Sequence, residues 1–365
     1  MKRRKFFYNS AIGIASSTAL VSCHDVINQT QPNIKWRMAT SWDEKQVYYE
    51  AAKIVCQRVE KMTNGRFVIT PYPAKKIVEP LEVLNAVKNR TVECGHTSSF
   101  YYMDQNPALA FGTGVPFGLN IQQQNAWLFE GGGLEAMQKI YADFNIINFP
   151  ASYTGVQMGG WFKKQINIKD MEGLRMRIPG LGAEVMKQFG VKVRKDIAGV
   201  DIQKAMKNNE IDAAKWSGPY EDKKLGLNEA ASYYYYPGWW EPGSSDDVLV
   251  NLDKWNELPG EYQEIFKVAC FEASLKTIAK QDSSNQSALQ ELRNENDDNK
   301  KINLISYEKS ILNEFERKAF EIYKDYADQD KTFKDVYTKW KTFRNQIYRW
   351  YGAAELEFSK FSFKL

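Results

Sequence analysis

The chain has 365 residues, of which 43% are hydrophobic and 26% are charged, and this composition is typical of a globular protein with one large or two medium domains. The formal net charge is +4, and the leader (residues 1–23) carries an excess of four basic residues with no acid. The remaining chain is therefore balanced in charge, which argues against nucleic acid as a partner.

The leader has a basic start, an apolar and small-residue middle, and the ending LVSC. This pattern predicts an export signal that is removed before folding. The ending resembles a bacterial lipobox, which would leave Cys23 as a lipidated N-terminus. Arg3 and Arg4 fit either a twin-arginine (Tat) signal or the basic start of a Sec signal. Residues 24–33 are expected to form a polar tether, and the body is expected in the periplasm.

Strand and helix patterns alternate along the first half of the body. Strands are predicted for IKWRMAT, RFVITPY, VECGHTSS, IINFPASYTG and VQMGGWFKK. Helices are predicted for DEKQVYYEAAKIVCQRVEKMTNG, EPLEVLNAVKNRT and QQQNAWLFEGGGLEAMQKIYADF. The glycine run in the last of these is too compact for a dinucleotide fingerprint and predicts a break between two helices. The alternation predicts an α/β sheet architecture.

A second series of the same kind begins near residue 160. KDMEGLRMRIPG predicts a turn and a strand, and LGAEVMKQFG and VDIQKAMKNNE predict helices. The stretch AMKNNEIDAAKWSG repeats the helix, turn and short strand of AVKNRTVECGHTSS. This internal similarity favours two similarly built lobes whose strand ends face a shared cleft.

The last third of the chain is mainly helical. DVLVNL predicts a strand that returns to the first lobe, and PGEYQEIFKVACFEASLKTIAKQ predicts a long helix. Val268, Phe271, Leu275 and Ile278 follow one another at three- and four-residue steps. A stronger aromatic stripe lies in the tail: Phe333, Tyr337, Trp340, Phe343, Ile347 and Trp350. This stripe either packs on its own body or covers a second subunit, which would give a homodimer through the C-terminal helix.

The sequence contains no recognised catalytic arrangement. His96 has no cysteine, serine or carboxylate at a catalytic spacing, so a packed or hydrogen-bonded role is expected. There is no phosphate-binding loop, no Gly-x-Ser-x-Gly and no Gly-x-Gly-x-x-Gly after a strand. Cys56, Cys94 and Cys270 lack disulfide or zinc spacing, and Cys56 and Cys270 are expected to be buried. The protein is therefore not expected to be an enzyme.

Single polar residues are instead embedded among aromatic and apolar ones. MRIPG places Arg177 in an apolar strand before a Pro-Gly turn, and a buried arginine needs an anionic partner. That partner is either an internal Asp or Glu or the carboxylate of a ligand, which suits its planar fork. VQMGGWF places Gln157 at a similar turn, and SYYYYPGWWEPG places Glu241 after a wall of aromatic residues.

The ordered motifs GHTSSFYY, FGTGVPFGLN, TGVQMGGWF, GLRMRIPG, IDAAKWSGPY and YYYYPGWWEPG resemble the solute-binding proteins of tripartite ATP-independent periplasmic (TRAP) transporters, the DctP family. They are most similar to the branch that binds 2-oxo acids. The resemblance implies an α/β, two-lobed periplasmic-binding-protein fold with hinge strands, a long connecting helix and a helical C-terminal region. It also implies that the lobes close around a small organic carboxylate and deliver it to the TRAP membrane permease.

Within that fold, lobe I is expected over residues 34–157 plus 247–300 and lobe II over residues 158–246. Residues 301–365 are expected to supply a C-terminal strand and helices, including the possible dimerisation helix. An extracytoplasmic ligand sensor, or an orphan binding protein on the same fold, is the alternative function.

The resemblance also implies the residues of a binding site. Arg177 matches the arginine that holds the ligand carboxylate. Gln157, the carbonyl of Trp216, and Glu241 match ligands of a sodium or calcium ion that bridges protein and ligand in several members. Two further residues match aromatic positions close to the ligand: Trp42 and Tyr101.

Two positions depart from the family pattern. Lys215 stands where similar proteins typically carry a glutamate, and an ammonium group has no acceptor with which to bind a cation. A metal is therefore doubtful and no cofactor is expected. Either the ammonium takes the place of the cation, bridging Glu241 and Gln157 to the ligand carboxylate, or it turns outward and the site has degenerated. Lys215 together with Arg177 would favour a ligand more anionic than pyruvate, such as a dicarboxylate.

The second departure is Tyr153, which stands where similar proteins often have an asparagine before Thr-Gly. Its phenol is expected to add bulk near the ligand.

Overall fold

A computed structural model describes residues 31–294, 296–297 and 300–364. The predicted export signal, Cys23 and most of the predicted tether lie outside the described residues. Within the described range, no helix combines the length and the apolar character needed to cross a bilayer.

Strands and helices alternate as the sequence predicts, and the α/β class is confirmed. The strands are β1 (Ile34–Thr40), β2 (Phe67–Tyr72), β3 (Cys94–Thr97), β4 (Ile146–Tyr153), β5 (Trp161–Phe162), β6 (Arg175–Arg177), β7 (Lys192–Val193), β8 (Ala213–Ala214), β9 (Tyr233–Tyr236), β10 (Ser245–Asn251), β11 (Asn296–Asp297), β12 (Lys300–Lys301) and β13 (Asn303–Ser306). The helices are α1 (Val47–Met62), α2 (Val83–Lys88), α3 (Ala110–Thr113), α4 (Ile121–Glu130), α5 (Gly133–Ala142), α6 (Gly180–Lys187), α7 (Ile202–Lys207), α8 (Pro219–Lys224), α9 (Leu252–Asn256), α10 (Gly260–Asn294), α11 (Lys309–Gln329), α12 (Lys331–Ala353) and α13 (Glu355–Phe363).

Local sequence signals set several of these element ends. Asn120 caps α4, because its side chain accepts from the backbone N–H of Gln123 and the Gln123 side chain accepts in return. The break between α4 and α5 falls at the predicted glycine run, where Gly132 has a φ of 78°. The predicted strand VQMGGWFKK shortens to β5, since Gly159 and Gly160 lie where the chain crosses from one sheet to the other.

Two sheets define two lobes. The sheet of the first lobe has the order β2-β1-β3-β10-β4, in which β1 is parallel to β2 and β3, and β10 is antiparallel to β3 and β4. The sheet of the second lobe has the order β13-β9-β5-β8-β6-β7. The chain passes from the first sheet to the second between β4 and β5, and it returns between β9 and β10. The predicted residue boundaries of the lobes stay a prediction.

The long helix α10 contacts both lobes. It packs on α1 and β4 of the first lobe and on α8 of the second. Its buried face in the first lobe carries small residues, Ala269, Cys270 and Ala273. The predicted stripe lies on another face, where Leu275 is 70% exposed.

The tail stripe divides into two parts. Phe333, Tyr337 and Trp340 are buried, and all three rings pack against Phe111. Trp350 is 65% exposed, and α13, which follows it, has no buried residue. The first part of the stripe therefore packs on its own body, while the end of the tail leaves aromatic side chains uncovered.

Candidate functional site

Two cationic side chains come together at the carboxyl ends of neighbouring parallel strands. Arg177 ends β6 and pairs in register with Ala214 of β8, and Lys215 follows β8 directly. The backbone N–H of Lys215 donates to the carbonyl of Arg177 at 2.9 Å. Gly180 opens α6 just beyond Arg177 with a φ of +66°, a conformation that favours glycine. Strand ends of this kind are where open α/β sheets bind ligands.

Arg177 is 1% exposed and contacts oxygen atoms that carry no full charge. Its Nε donates to the carbonyl of Ile197 at 2.9 Å, Nη1 donates to the carbonyl of Lys215 at 3.2 Å, and Nη2 donates to the Tyr101 hydroxyl at 3.5 Å. Within the described part of the chain, no Asp or Glu pairs with it. The alternative of an internal acidic partner is therefore wrong. A guanidinium has five N–H donors, so two of them remain for a ligand.

Lys215 turns inward. Its ammonium lies 2.6 Å from the Glu241 carboxylate, and both residues are at least 97% buried. The ammonium also lies 5.2 Å from the centre of the Phe100 ring. Burial lowers the pKa of Lys215, and the neighbouring Glu241 opposes this shift. The alternative in which Lys215 points outward is wrong.

Gln157 lies at the same cavity but does not contact Lys215 by a hydrogen bond. Its Nε2 donates to the Thr154 hydroxyl at 3.3 Å, and its Oε1 is buried without a protein partner in the described residues. The predicted contact between Lys215 and Glu241 is thus present, and the predicted bridge to Gln157 is not.

A small cavity lies between the two lobes. The predicted residues that line it are Trp42, Tyr101, Gln157, Arg177, Lys215 and Trp216. Glu241 is joined to it through Lys215. The Trp216 ring lies 5.6 Å from the Arg177 guanidinium and packs edge-on against Trp42. The cavity therefore combines cationic donors with aromatic walls.

Contacts between the lobes surround this cavity. The Tyr48 hydroxyl of the first lobe donates to the Ser217 hydroxyl of the second at 2.7 Å. The backbone N–H of Val47, at the start of α1, donates to the Glu221 carboxylate at 3.2 Å. The described conformation is therefore closed around the site.

A family model described as bacterial extracellular solute-binding protein, family 7 (DctP), matches residues 38–330. The chain belongs to this family. It is a solute-binding protein rather than an enzyme, as predicted, and the family is extracellular.

Individual DctP relatives extend this similarity over nearly the whole chain. A protein of Nostoc sp. (strain PCC 7120) named monocarboxylate 2-oxoacid-binding periplasmic protein is 52% identical over 367 residues, covering 99% of both chains. A TRAP transporter solute-binding protein from Bordetella bronchiseptica RB50 has 37% identity and a TM-score of 0.88, covering 91% of this chain and 98% of that one. Its crystal structure is described as a mixed occupancy dimer with copurified calcium and picolinate in the active site.

A TRAP periplasmic solute-binding protein from Colwellia psychrerythraea has 31% identity and a TM-score of 0.85, covering 89% of this chain and 98% of that one. Its structure contains calcium and pyruvate. These relatives confirm the predicted TRAP family, its 2-oxo acid branch and the two-lobed fold.

The residues of this DctP protein do not fit a cation at the predicted position. The Lys215 ammonium already contacts the Glu241 carboxylate at 2.6 Å, and two positive charges cannot share that contact without strong repulsion.

Tyr153 does not line the cavity, and its predicted position beside the ligand is wrong. Its ring faces a separate groove that Phe271 and Leu275 also line. Its backbone N–H offers no donor to a ligand either, because it donates to the Thr277 hydroxyl of α10 at 3.2 Å. The strand thus turns this side chain towards α10 rather than towards the lobe interface.

His96 has the predicted hydrogen-bonded role. It is fully buried, and its Nδ1 accepts from the Trp42 indole N–H at 2.8 Å. Burial lowers the pKa of His96 to about 3, so the ring is neutral. This bond orients Trp42 at the wall of the cavity.

Sequence reasoning missed Asp246. This residue lines the cavity from β10 of the first lobe and is 2% exposed. Two adjacent aspartates in an apolar strand, SSDDVLVN, were the available signal, since a buried carboxylate usually has a specific role.

Proposed function

We propose that this protein is the extracytoplasmic solute-binding subunit of a TRAP transporter that captures a small monocarboxylate, a 2-oxo acid such as pyruvate, between its lobes. The observation that carries the proposal is the pair of unused N–H donors on Arg177 inside the closed cavity. A planar fork of this kind binds a carboxylate through two parallel hydrogen bonds. The names of the Nostoc and Colwellia relatives support the ligand class.

In this proposal each side chain of the site has a separate task. Arg177 binds the ligand carboxylate, and Lys215 supplies a second donor from the same edge of the sheet. Trp42 and Trp216 exclude water, which strengthens every charged contact in the cavity. Gln157 presents a free acceptor, its Oε1, to the ligand.

Lobe closure provides the signal to the permease. A ligand that contacts both lobes favours the closed state by its difference in affinity for the two states. The contacts of Tyr48 with Ser217 and of Val47 with Glu221 form across the same interface. The ligand therefore shifts the population towards the form that delivers it.

The role of Arg177 is tested by calorimetric titration with pyruvate. Arg177→Lys keeps the charge and removes the fork, and should weaken binding about 10- to 100-fold, since a charged hydrogen bond contributes about 1.5–3 kcal/mol. Arg175→Lys is the matched control, because Arg175 lies two residues earlier on the same strand and pairs with Asp212. Equal affinities for both variants, or a flat response to a panel of oxo, hydroxy and dicarboxylic acids, would contradict the proposal.

We also propose that binding needs no metal, because the Lys215 ammonium supplies the positive charge that calcium supplies in other members. Pyruvate titrations with and without a chelator should then give the same affinity within about twofold. Lys215→Glu removes the ammonium and adds an acidic ligand, so binding by this variant should become dependent on calcium. Loss of wild-type binding in the chelator, with recovery on adding calcium, would overturn this proposal.

We also propose that the protein forms a homodimer in which the end of the tail contacts a second copy. Helix α13 exposes Phe358 (68%) and Phe361 (83%), and the groove beside α10 exposes Phe271 and Leu275. We infer that α13 of a second copy covers this groove, and the Bordetella relative, whose structure is described as a dimer, supports dimer formation. The alternative, a solvated tail, is an outcome of the test below.

Light scattering during size-exclusion chromatography tests this pairing. Phe358→Ser with Phe361→Ser, and separately Leu275→Glu, should each give a monomer. Ile168→Ser is the control, because Ile168 is an exposed apolar residue outside both surfaces. A monomeric wild type, or variants that remain dimeric, would reject the interface.

A periplasmic location is proposed, with export by Tat or Sec and tethering by a lipidated Cys23. Mass spectrometry of the mature chain purified from membranes tests the tether. A diacylglyceryl mass on an N-terminal Cys23 supports it, and an unmodified or longer N-terminus contradicts it.

A further inference from the structure

Asp246 introduces a negative charge into the cavity that Arg177 and Lys215 face. It lies on β10 of the first lobe, across the interface from both cations. Its carboxylate accepts from the Ser98 hydroxyl and, at 3.0 Å, from the Ser152 hydroxyl. Within the described residues no Lys or Arg forms an ion pair with it. Two neutral hydroxyls therefore hold it in place without cancelling its charge.

The local backbone directs Asp246 into the cavity. A β-bulge interrupts the pairing of β10 with β4 between Asp246 and Asp247, so that Asp246 pairs with Ser152 and Asp247 with Pro150. Successive residues of a strand point to opposite faces. Asp247 accordingly lies outside the cavity, where it accepts from the Asn148 amide at 3.0 Å. The chain thus carries two adjacent buried aspartates, of which one faces the ligand.

The charged residues of the cavity can balance the charge of one ligand carboxylate. Glu241 at 2.6 Å already balances the charge of Lys215, so Arg177 is the cation whose charge is left for a ligand carboxylate. A ligand carboxylate bound to Arg177 places the rest of the molecule in a cavity that Asp246 also lines. A second carboxylate would meet this negative charge in a medium of low dielectric, where repulsion is strong.

We propose that Asp246 is a specificity-determining residue that rejects dicarboxylates and restricts the ligand to acids whose remaining part is uncharged. The inference rests on the proposed function, since it assumes that Arg177 holds the first carboxylate. It also reverses the expectation from Lys215 and Arg177 alone, which favoured a dicarboxylate. That expectation counted the two cations and omitted Glu241 and Asp246.

A matched pair of ligands tests the proposal. 2-Oxobutyrate and oxaloacetate have the same four-carbon chain, and oxaloacetate replaces the terminal methyl group with a carboxylate. Burial raises the pKa of Asp246 to about 7, so titrations at pH 8 keep it ionised beside Lys215, Glu241, Tyr48 and Tyr101. The wild-type protein should bind 2-oxobutyrate about tenfold more tightly than oxaloacetate, because protonation of Asp246 at pH 8, which would remove the repulsion, costs a factor of about ten.

Asp246→Asn keeps the shape and the hydrogen-bonding capacity and removes the charge. It should remove most of this preference, while Asp247→Asn, the adjacent buried aspartate, should leave it unchanged within twofold. Melting temperatures establish that both variants fold, and Asp246→Ser is a second charge-free variant. A wild type that binds both ligands equally, or an Asp246→Asn variant that keeps the full preference, overturns the inference. A wild type that binds neither ligand overturns the proposed function instead.

Discussion

The buried pair of Lys215 and Glu241 should make a measurable contribution to the stability of the protein. At 2.6 Å and an effective dielectric constant of about 20, the attraction between the two charges is about 6 kcal/mol. The loss of hydration of both ions offsets much of this energy. Lys215→Gln nevertheless leaves the Glu241 carboxylate buried without a counter-ion. Removing one partner of such a pair typically destabilises a protein by about 3–5 kcal/mol.

Thermal unfolding of the ligand-free protein measures this loss. With an unfolding entropy of about 2.1 cal/mol/K per residue, a body of roughly 330 residues should melt about 4–7 °C lower in the Lys215→Gln variant. The double variant with Glu241→Gln has two amides and no buried charge, so it should recover most of the difference. If Lys215→Gln melts within 1 °C of the wild type, or if the double variant is no more stable than the single one, the reasoning fails.

Two other measurements test the buried groups of the molecule. Burial raises the pKa of four carboxyl groups. The pKa rises to about 6 for Asp222 and to about 7 for Glu221, Asp246 and Asp247. The native state therefore binds more protons than the unfolded state between about pH 4 and pH 7, and stability should fall as the pH rises through this range. Between pH 5 and pH 8 the melting temperature of Asp247→Asn should fall less steeply with pH than that of the wild type. An unchanged slope would contradict the raised pKa of Asp247. Gly199→Ala places a Cβ 2.3 Å from the Trp216 ring and should weaken pyruvate binding at least tenfold by displacing that ring. Gly260→Ala is the control, because its Cβ meets nothing within 4 Å and it should have no effect. Equal affinities for the two variants would refute the proposed role of Trp216.

The position of the two cations was predictable because it depends on short-range signals. Arg177 ends one short strand and Lys215 directly follows another, and neighbouring parallel strands end at the same edge of a sheet. The apolar face of the tail helix was predictable in the same way, since Phe333, Tyr337 and Trp340 repeat at helical spacing.

The orientations of Tyr153 and Asp246 were not predictable, because they depend on pairing between distant segments. Seven of the eight residues of β4 are buried, so the strand shows no alternation that would identify its inner face. The direction of Asp246 depends on a bulge that forms when β10 pairs with a strand about a hundred residues earlier. For the stripe on α10, the sequence likewise does not predict the partner, since a helical period identifies an apolar face but not the surface that covers it.

The length of α10 limits how the two lobes can separate. A helix of 35 residues extends about 52 Å, and this one is anchored by Ala269 and Ala273 in the first lobe and by Asn285 in the second. A continuous helix does not stretch, so one of these attachments has to slide when solute enters or leaves. In the second lobe Asn285 accepts from the Tyr220 backbone N–H at 3.0 Å, and Leu292 is buried in an apolar cluster with Ile202 and Tyr234. Separation of the lobes is therefore coupled to a rearrangement of the contacts along α10.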